Sequence, residues 1–562
     1  MSYNKLSEER KRLQAAGELP EWFSTGGYQM FKEKYLYQAN TPRDQYERIA
    51  RTLATHTPDP NSWTNKFFNL LWKGWLSPST PVLANTGTTR GLPVSCAGSY
   101  ISDNLDSIYK GKHEIAALTK AGFGTASYLG DIRHRGAEIS VGGKASGLLP
   151  IIKGFQQDME YVSQGTARRG SWAGYVPIDH PDFDEVCDHL EHNPDGNNIG
   201  WNISNSFITK LENRDSEAIR RYGKAMKTKM VTGKGYFFFP DKANDKRPQW
   251  YVDQGLDIKS PQLCAEIMLH SSEDYTYTCV LSSMNVALYD EWKDTNAVYE
   301  ATVFLDCVVQ EFIERGKNIP GLEKAIAFTK NSRALGLGVC GLHTLFQKRR
   351  IVFGSFDSMM LNTEIFRHLD TESKRASQWI AQVWGEPKWM KGYGYANTHR
   401  IAIAPTKSTA LIMGGVSEGI NPDTAMVYTQ RTAAGEVDRI NPVLLELMQA
   451  RGVYNRRTVE RIRDNMGSVQ SEEWLDDHEK EVFRTAFEIP QMAVVTMASA
   501  RSKFIDQWQS LNLFFSAEED ESYINEVHKQ AFQDPNILAL YYVYSKTGVQ
   551  ASNDNGECMA CQ

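Results

Sequence analysis

The chain of 562 residues has no apolar stretch approaching 18 residues, no long basic run, no internal repeat and no low-complexity tract. Without the first, no membrane-spanning helix is expected. The second absence, with a formal net charge of −6, removes the electrostatic footprint of a nucleic-acid polymer binder or of a protein held on an anionic membrane. The opening MSYNKLSEERKRL reads as a charged helix rather than a signal peptide, so a cytoplasmic location is expected. Cysteine is scarce: Cys96, Cys187, Cys264, Cys279, Cys307, Cys340, Cys558 and Cys561. That is too sparse for a disulfide scaffold and fits thiols kept for chemistry in a reducing compartment. Only Cys558 and Cys561 have CxxC spacing, and one such pair lacks the donors of a zinc site. Redox use fits that pair better, and no metal is expected on this chain.

What is present is organised around Ser260–Asn285, SPQLCAEIMLHSSEDYTYTCVLSSMN. It sets Cys264 two residues before Glu266, with Cys279 after a polar turn. In extended backbone, residues two apart point the same way, so a sulfur and a potential general base face one substrate together. Taken alone, each cysteine also reads as a small buried hydrophobe.

Residues 1–70 read as a helical lead-in, 71–547 as the main body and 548–562 as a polar, flexible tail carrying the dithiol. Asn61–Trp75 has apolar residues at helical spacing, and SPSTPVLANTGTTRGLPVSC after it is too rich in breakers for a long helix. Two Gly/Arg stretches, within Ala121–Pro150 and Ser163–Gly174, read either as phosphate-approaching loops or as ordinary turns. Gly336-x-Gly338-x-x-Gly341 has the form of a dinucleotide fingerprint but follows a polar TKNSR rather than a buried strand. At Ile401–Asn421 a short apolar strand runs into Pro-Thr-Lys-Ser-Thr, an anion site at a helix start or simple capping by Ser408 or Thr409. ILALYYVYSKTG is a strand-like run with adjacent Tyr541 and Tyr542.

In order, the chain carries STP, SC with an Asp seven residues on, two Gly/Arg loops, LCAEI, TCVLSSMN, RALGLGV, APTKST, YY and a terminal CxxC. This series resembles the catalytic large (alpha) subunit of class I ribonucleotide reductases over roughly residues 70–562. The resemblance implies an α/β barrel of ten strands, two antiparallel halves of five parallel strands each, around a finger loop. It implies that Cys264 is the transient thiyl radical, that Glu266 takes the 3′-hydroxyl proton, and that Cys96 and Cys279 are the reducing dithiol. Thr80, Pro405, Thr406, Ser408 and Thr409 match substrate diphosphate positions. Asp103 and Arg133 match a site for a deoxynucleoside triphosphate or ATP effector at a homodimer interface. Gln164, Arg168 and Arg169 match the loop that relays effector identity. Tyr541 and Tyr542 match a stacked pair that passes the radical inward from a metal-bearing small (beta) subunit. Cys558 and Cys561 match the tail dithiol that is re-reduced by thioredoxin or glutaredoxin.

The chain departs from the family pattern in three places. Gln262 stands where the family usually has Asn, the stretch ahead of the barrel is short for an ATP-cone, and the body is compact. Loss of shutdown by dATP is the expectation from the second. The competing enzyme reading is an adenosylcobalamin-dependent reductase, which needs no tyrosine relay. Outside that class stand a nucleotide-binding regulatory protein and a redox-active binding module. Neighbouring tyrosines in a regular strand point to opposite faces, so a relay requires a bend at Tyr541–Tyr542.

Overall fold

The computed structural model describes residues 3–164, 168–196, 198–432 and 435–545. Helices Tyr3–Ala15, Thr25–Met30, Pro42–Ala54 and Pro60–Trp72 come first. Pro42–Ala54 starts where local chemistry dictates: proline opens it, and Thr41 and Asp44 cap each other's backbone amides.

Five strands then run parallel in sequence order: Cys96–Tyr100, Gly124–Tyr128, Trp172–Pro177, Ile199–Asn202 and Tyr236–Phe238. They are buried almost throughout, as parallel strands covered on both faces must be. A second parallel set begins with Tyr277–Asn285 and Leu335–Cys340. It continues through bridges from Leu337 to Ile401 and from Ile403 to Gln509, then through Leu513–Phe515 beside Val543–Ser545. The halves join antiparallel at both seams. Cys96 lies opposite Cys279 at one, and Ala539–Leu540 pairs with Phe237–Phe238 at the other. The result is the barrel of two five-stranded halves that the resemblance implies.

The helix Ala297–Gly316 is apolar around nearly its whole circumference and is buried against the second half. A smaller apolar cluster, including Met426, Leu444, Ile462 and Phe483, sits under the hairpin Val427–Thr432/Gly435–Ile440.

The fingerprint glycines are packing residues. Gly336 and Gly338 lie inside the strand Leu335–Cys340, and a Cβ on Gly336 would meet Leu281 and stand 3.0 Å from Cys279 Sγ. On Gly338 it would come 2.7 Å from the Ala402 carbonyl. Absence of a side chain serves close strand approach here, not a pyrophosphate.

Candidate active site

Ser260–Ser271 has no regular secondary structure, yet every residue in it is buried. A buried irregular segment must find partners for its backbone polar groups. Here the barrel supplies them. Tyr175 Oη donates to the Gln262 carbonyl at 2.9 Å, and Trp508 N donates to the Glu266 carbonyl at 2.9 Å. Ser510 Oγ donates to the Cys264 carbonyl at 2.7 Å, and Met268 N donates to Gln507 Oε1 at 3.1 Å. The loop is therefore a plug fixed from both barrel halves.

Extended backbone does not bring Cys264 and Glu266 together, and that expectation is corrected. Ala265 has φ +66°, and its N–H bonds back to the Gln262 carbonyl at 3.1 Å, so the chain turns at this point. The left-handed conformation costs a non-glycine residue about 1 kcal/mol, stored beside the candidate radical position.

Around the loop the site closes tightly. Gln262 Nε2 donates to Glu266 Oε2 and stands 3.8 Å from Cys96 Sγ, while Gln262 Oε1 accepts from Ile267 N at 3.0 Å. Ser510 Oγ is also 3.1 Å from Glu266 Oε2. Cys96 and Cys279 are direct cross-strand partners. Opposed antiparallel residues have Cα atoms about 4.5–5.5 Å apart, inside the range a disulfide spans. Gln507 Nε2 reaches Cys279 Sγ at 3.5 Å. Burial pushes the Cys279 thiol far up, and Glu266 adds to the effect, so this sulfur is held as a thiol rather than a thiolate. Burial, followed by the neighbouring Cys264 and Glu266, likewise keeps Tyr175 a phenol.

Tyr541 and Tyr542 sit where the strand breaks between Leu540 and Val543, as a relay requires. Their ring centroids are 4.4 Å apart, but the planes make 66°, an edge contact in place of the expected stack. Tyr236 completes a cluster, 4.7 Å from Tyr541 and 5.3 Å from Tyr542. Tyr541 lies close to the loop: its N–H donates to the Leu511 carbonyl at 2.9 Å, and Leu511 follows the Ser510 that holds Cys264.

Thr80 opens the helix Thr80–Asn85, and Thr406 precedes the helix Lys407–Ile412, which packs on the adjoining strand Leu76–Pro78. Neither helix start has a side-chain cap. Capping by Ser408 or Thr409 is thereby corrected. Thr406 holds the cap position at φ +58°, and its hydroxyl instead accepts from Gly419 N at 2.8 Å. Pro405 and Thr409 are buried beside it, and Ser408 is half-buried. Ser79 accepts from Ser95 Oγ at 2.8 Å, tying this region to Cys96 one residue on.

Asp103 and Arg133 are brought together, with Arg133 Nε donating to Asp103 Oδ2 at 2.7 Å, half-exposed beside the helix Leu105–Ala121. Gln164, Arg168 and Arg169 lie on a short antiparallel hairpin in which Gln164 faces Arg168. Cys558 and Cys561 lie outside the described residues. Reading the sequence missed Tyr175, Gln507, Ser510 and Tyr236. Only the buried polar side chains on Gln507 and Ser510, one and four residues past Asp506, hint at them, and weakly.

The family model "Ribonucleotide reductase, barrel domain" matches residues 94–219, 208–392 and 387–543, and "Ribonucleotide reductase, all-alpha domain" matches 21–91. The chain is 32% identical over 521 residues to a Frog virus 3 protein named as a ribonucleoside-diphosphate reductase large subunit, covering 87% of this chain and 91% of that one. It is 26% identical to the ribonucleoside-diphosphate reductase large subunit of Invertebrate iridescent virus 3, over 96% and 98% of the two chains. The solved Actinobacillus ureae class Id ribonucleotide reductase alpha subunit superposes with a TM-score of 0.86 at 36% identity, over 94% of this chain and 98% of that one.

Proposed function

The chain belongs to the ribonucleotide reductase large-subunit family, as the catalytic subunit of a class I ribonucleoside-diphosphate reductase, and from that membership we propose how its buried cluster carries the reaction. Cys264, as a thiyl radical, takes the 3′ hydrogen of a ribonucleoside diphosphate. Glu266 accepts the 3′-hydroxyl proton, and the 2′ oxygen leaves as water on a proton from the Cys96–Cys279 pair. The pair gives its second hydrogen to the 2′ carbon, where the new C–H bond forms, and closes as a disulfide after supplying two electrons in all. Glu266 returns its proton to the 3′ oxygen, and Cys264 returns its hydrogen to the 3′ carbon. A general base and a proton donor on opposite sides of the breaking bond are what such an elimination needs.

The observation that carries this reading is the convergence of Glu266, Gln262 and Cys96 within one hydrogen-bonded cluster. Gln262, longer than the usual Asn, places its amide between the base and the dithiol, where it orients both. The uncapped starts of Thr80–Asn85 and Lys407–Ile412, with Thr80, Thr406, Ser408 and Thr409, offer amides to the diphosphate, and Pro405, which has no N–H, shapes the turn before the second. Asp103 and Arg133, with the Gln164–Arg169 hairpin, form the effector site in a homodimer. A separate metal-bearing beta subunit supplies the radical through Tyr541 and Tyr542.

The test is deoxynucleotide formation from each ribonucleoside diphosphate, with and without a small subunit and with adenosylcobalamin alone. Product is expected only with the small subunit, and added deoxynucleoside triphosphates should shift which base is reduced. Robust product with adenosylcobalamin alone would overturn the class I reading of the relay.

Cys558 and Cys561 are proposed to re-reduce the internal disulfide by thiolate exchange, which needs reach rather than a fixed geometry. Removal of residues 550–562 should therefore leave one turnover of the prereduced protein intact. Repeated turnover with thioredoxin should fall at least ~10²-fold, the scale of losing an intramolecular thiol of high effective concentration. A small dithiol should restore it. Unchanged thioredoxin-supported turnover would remove the tail from the cycle.

A further inference from the structure

The helix Ser216–Thr232 carries Lys229, which is fully buried on the same seam that holds the tyrosines. Antiparallel pairing there runs through Ala539 opposite Phe238 and Leu540 opposite Phe237, then stops. Backbone contact resumes only at Val543, whose N–H donates to the Gly233 carbonyl at 3.2 Å. In the gap the carbonyls of Gly235 and Tyr541 both accept from Lys229, Nζ standing 3.2 Å from the first and 2.5 Å from the second. On the other edge Tyr542 N takes Asn512 Oδ1 at 3.2 Å.

Lys229 thus replaces a ladder partner on the Phe237–Phe238 edge, while the other edge keeps backbone bonds from Tyr541 N to the Leu511 carbonyl at 2.9 Å and from Leu513 N to the Tyr542 carbonyl at 3.0 Å, with Asn512 taking Tyr542 N. Continued pairing would send Tyr541 and Tyr542 to opposite faces. The interruption allows their rings to meet at 4.4 Å. The same ammonium holds Gly235, so it also fixes Tyr236, whose ring packs on both tyrosines.

Packing alone gives no reason for an amine here. No carboxylate among the described residues pairs with Lys229, and burial pulls it down to about 7. A methionine would fill the space without that desolvation. The amine also lies 5.8 Å from the Tyr236 ring and 5.1 Å from that of Phe237, cation–π contacts that return less than burying the charge costs.

We infer that Lys229 is the positioning residue of the tyrosine relay, holding open the seam between Gly235 and Tyr541 so that Tyr236, Tyr541 and Tyr542 stay in contact. The inference rests on the relay reading of Tyr541 and Tyr542. It is tested in the complex of the full chain with its small subunit, using Lys229→Met and Lys229→Arg beside Tyr541→Phe.

Lys229→Met should lower kcat at least ~10-fold, about one tenfold step in rate for a misplaced donor and acceptor. KM for the ribonucleoside diphosphate should stay within about twofold and the melting temperature within about 3 °C, since a volume-conserving change exchanges lost hydrogen bonds for relieved desolvation. Lys229→Arg, which keeps donors and charge, should recover most of the rate. A purely structural lysine would instead lose stability, KM and kcat together, and that outcome overturns the inference, as does a wild-type kcat in Lys229→Met. Should the methionine variant not fold, Lys229→Gln is read the same way: kcat lowered at unchanged KM supports the inference, and an unchanged kcat overturns it. Full turnover in Tyr541→Phe would remove the relay itself. A dead Tyr541→Phe beside a fully active Lys229→Met would remove only the role of Lys229.

Discussion

Cys264→Ala is expected to lower deoxynucleotide formation at least ~10³-fold, about 4 kcal/mol of lost transition-state stabilisation, while leaving nucleotide binding near wild type. The two effects separate because the sulfur and the backbone do different work. The loop is held by the Cys264 carbonyl on Ser510, the Gln262 carbonyl on Tyr175 and the Glu266 carbonyl on Trp508, none of which involves the thiol. Alanine also tolerates the turn, which puts its strain at Ala265. Loss of one buried sulfur should cost folding only about 1 kcal/mol. No other group in the cluster replaces the thiol: Cys279 is occupied by Gln507 and held protonated, and Cys96 faces it across the seam. Product formation and effector-dependent nucleotide binding measured on one preparation decide the matter. Turnover within tenfold of wild type would reject the radical role of Cys264.

Tyr541→Phe and Tyr542→Phe should each stop partner-driven turnover, again by at least ~10³-fold or about 4 kcal/mol. In the proposed relay each phenol gives up a proton as it gives up an electron, and phenylalanine has no proton to give at that position. Packing should survive, because the change keeps a ring that is 4.4 Å from its neighbour and in contact with Tyr236. The loss of one hydroxyl hydrogen bond is worth about 1 kcal/mol of stability. Substrate binding and thioredoxin-driven reduction of the Cys96–Cys279 disulfide should therefore be unchanged. The edge-on rings make an asymmetric pair, so partial activity in one variant but not the other would point to a route that bypasses the active one. Activity in both would dismiss the relay.

The sequence by itself determined the chemistry carried by the chain and the order in which it arrives. The spacing of Cys264 and Glu266, the APTKST run and the adjacent tyrosines are local patterns, readable because each depends on residues a few positions apart. Only the tertiary structure decided which groups face one another. Cys96 and Cys279 are 183 positions apart, and their opposition depends on the register of an antiparallel seam that no local pattern encodes. The short apolar strand read at Ile401 joins the barrel through single bridges to Leu337 and Gln509, partners that no local pattern names. Gly336 and Gly338 mimic a fingerprint because a missing side chain serves close strand packing as well as phosphate approach. The turn at Ala265, the amide of Gln262 between Glu266 and Cys96, and Lys229 in the gap beside Tyr541 all depend on contacts between distant segments. Hydrogen bonds of that kind are set by the closure of the barrel, after local preference has had its say.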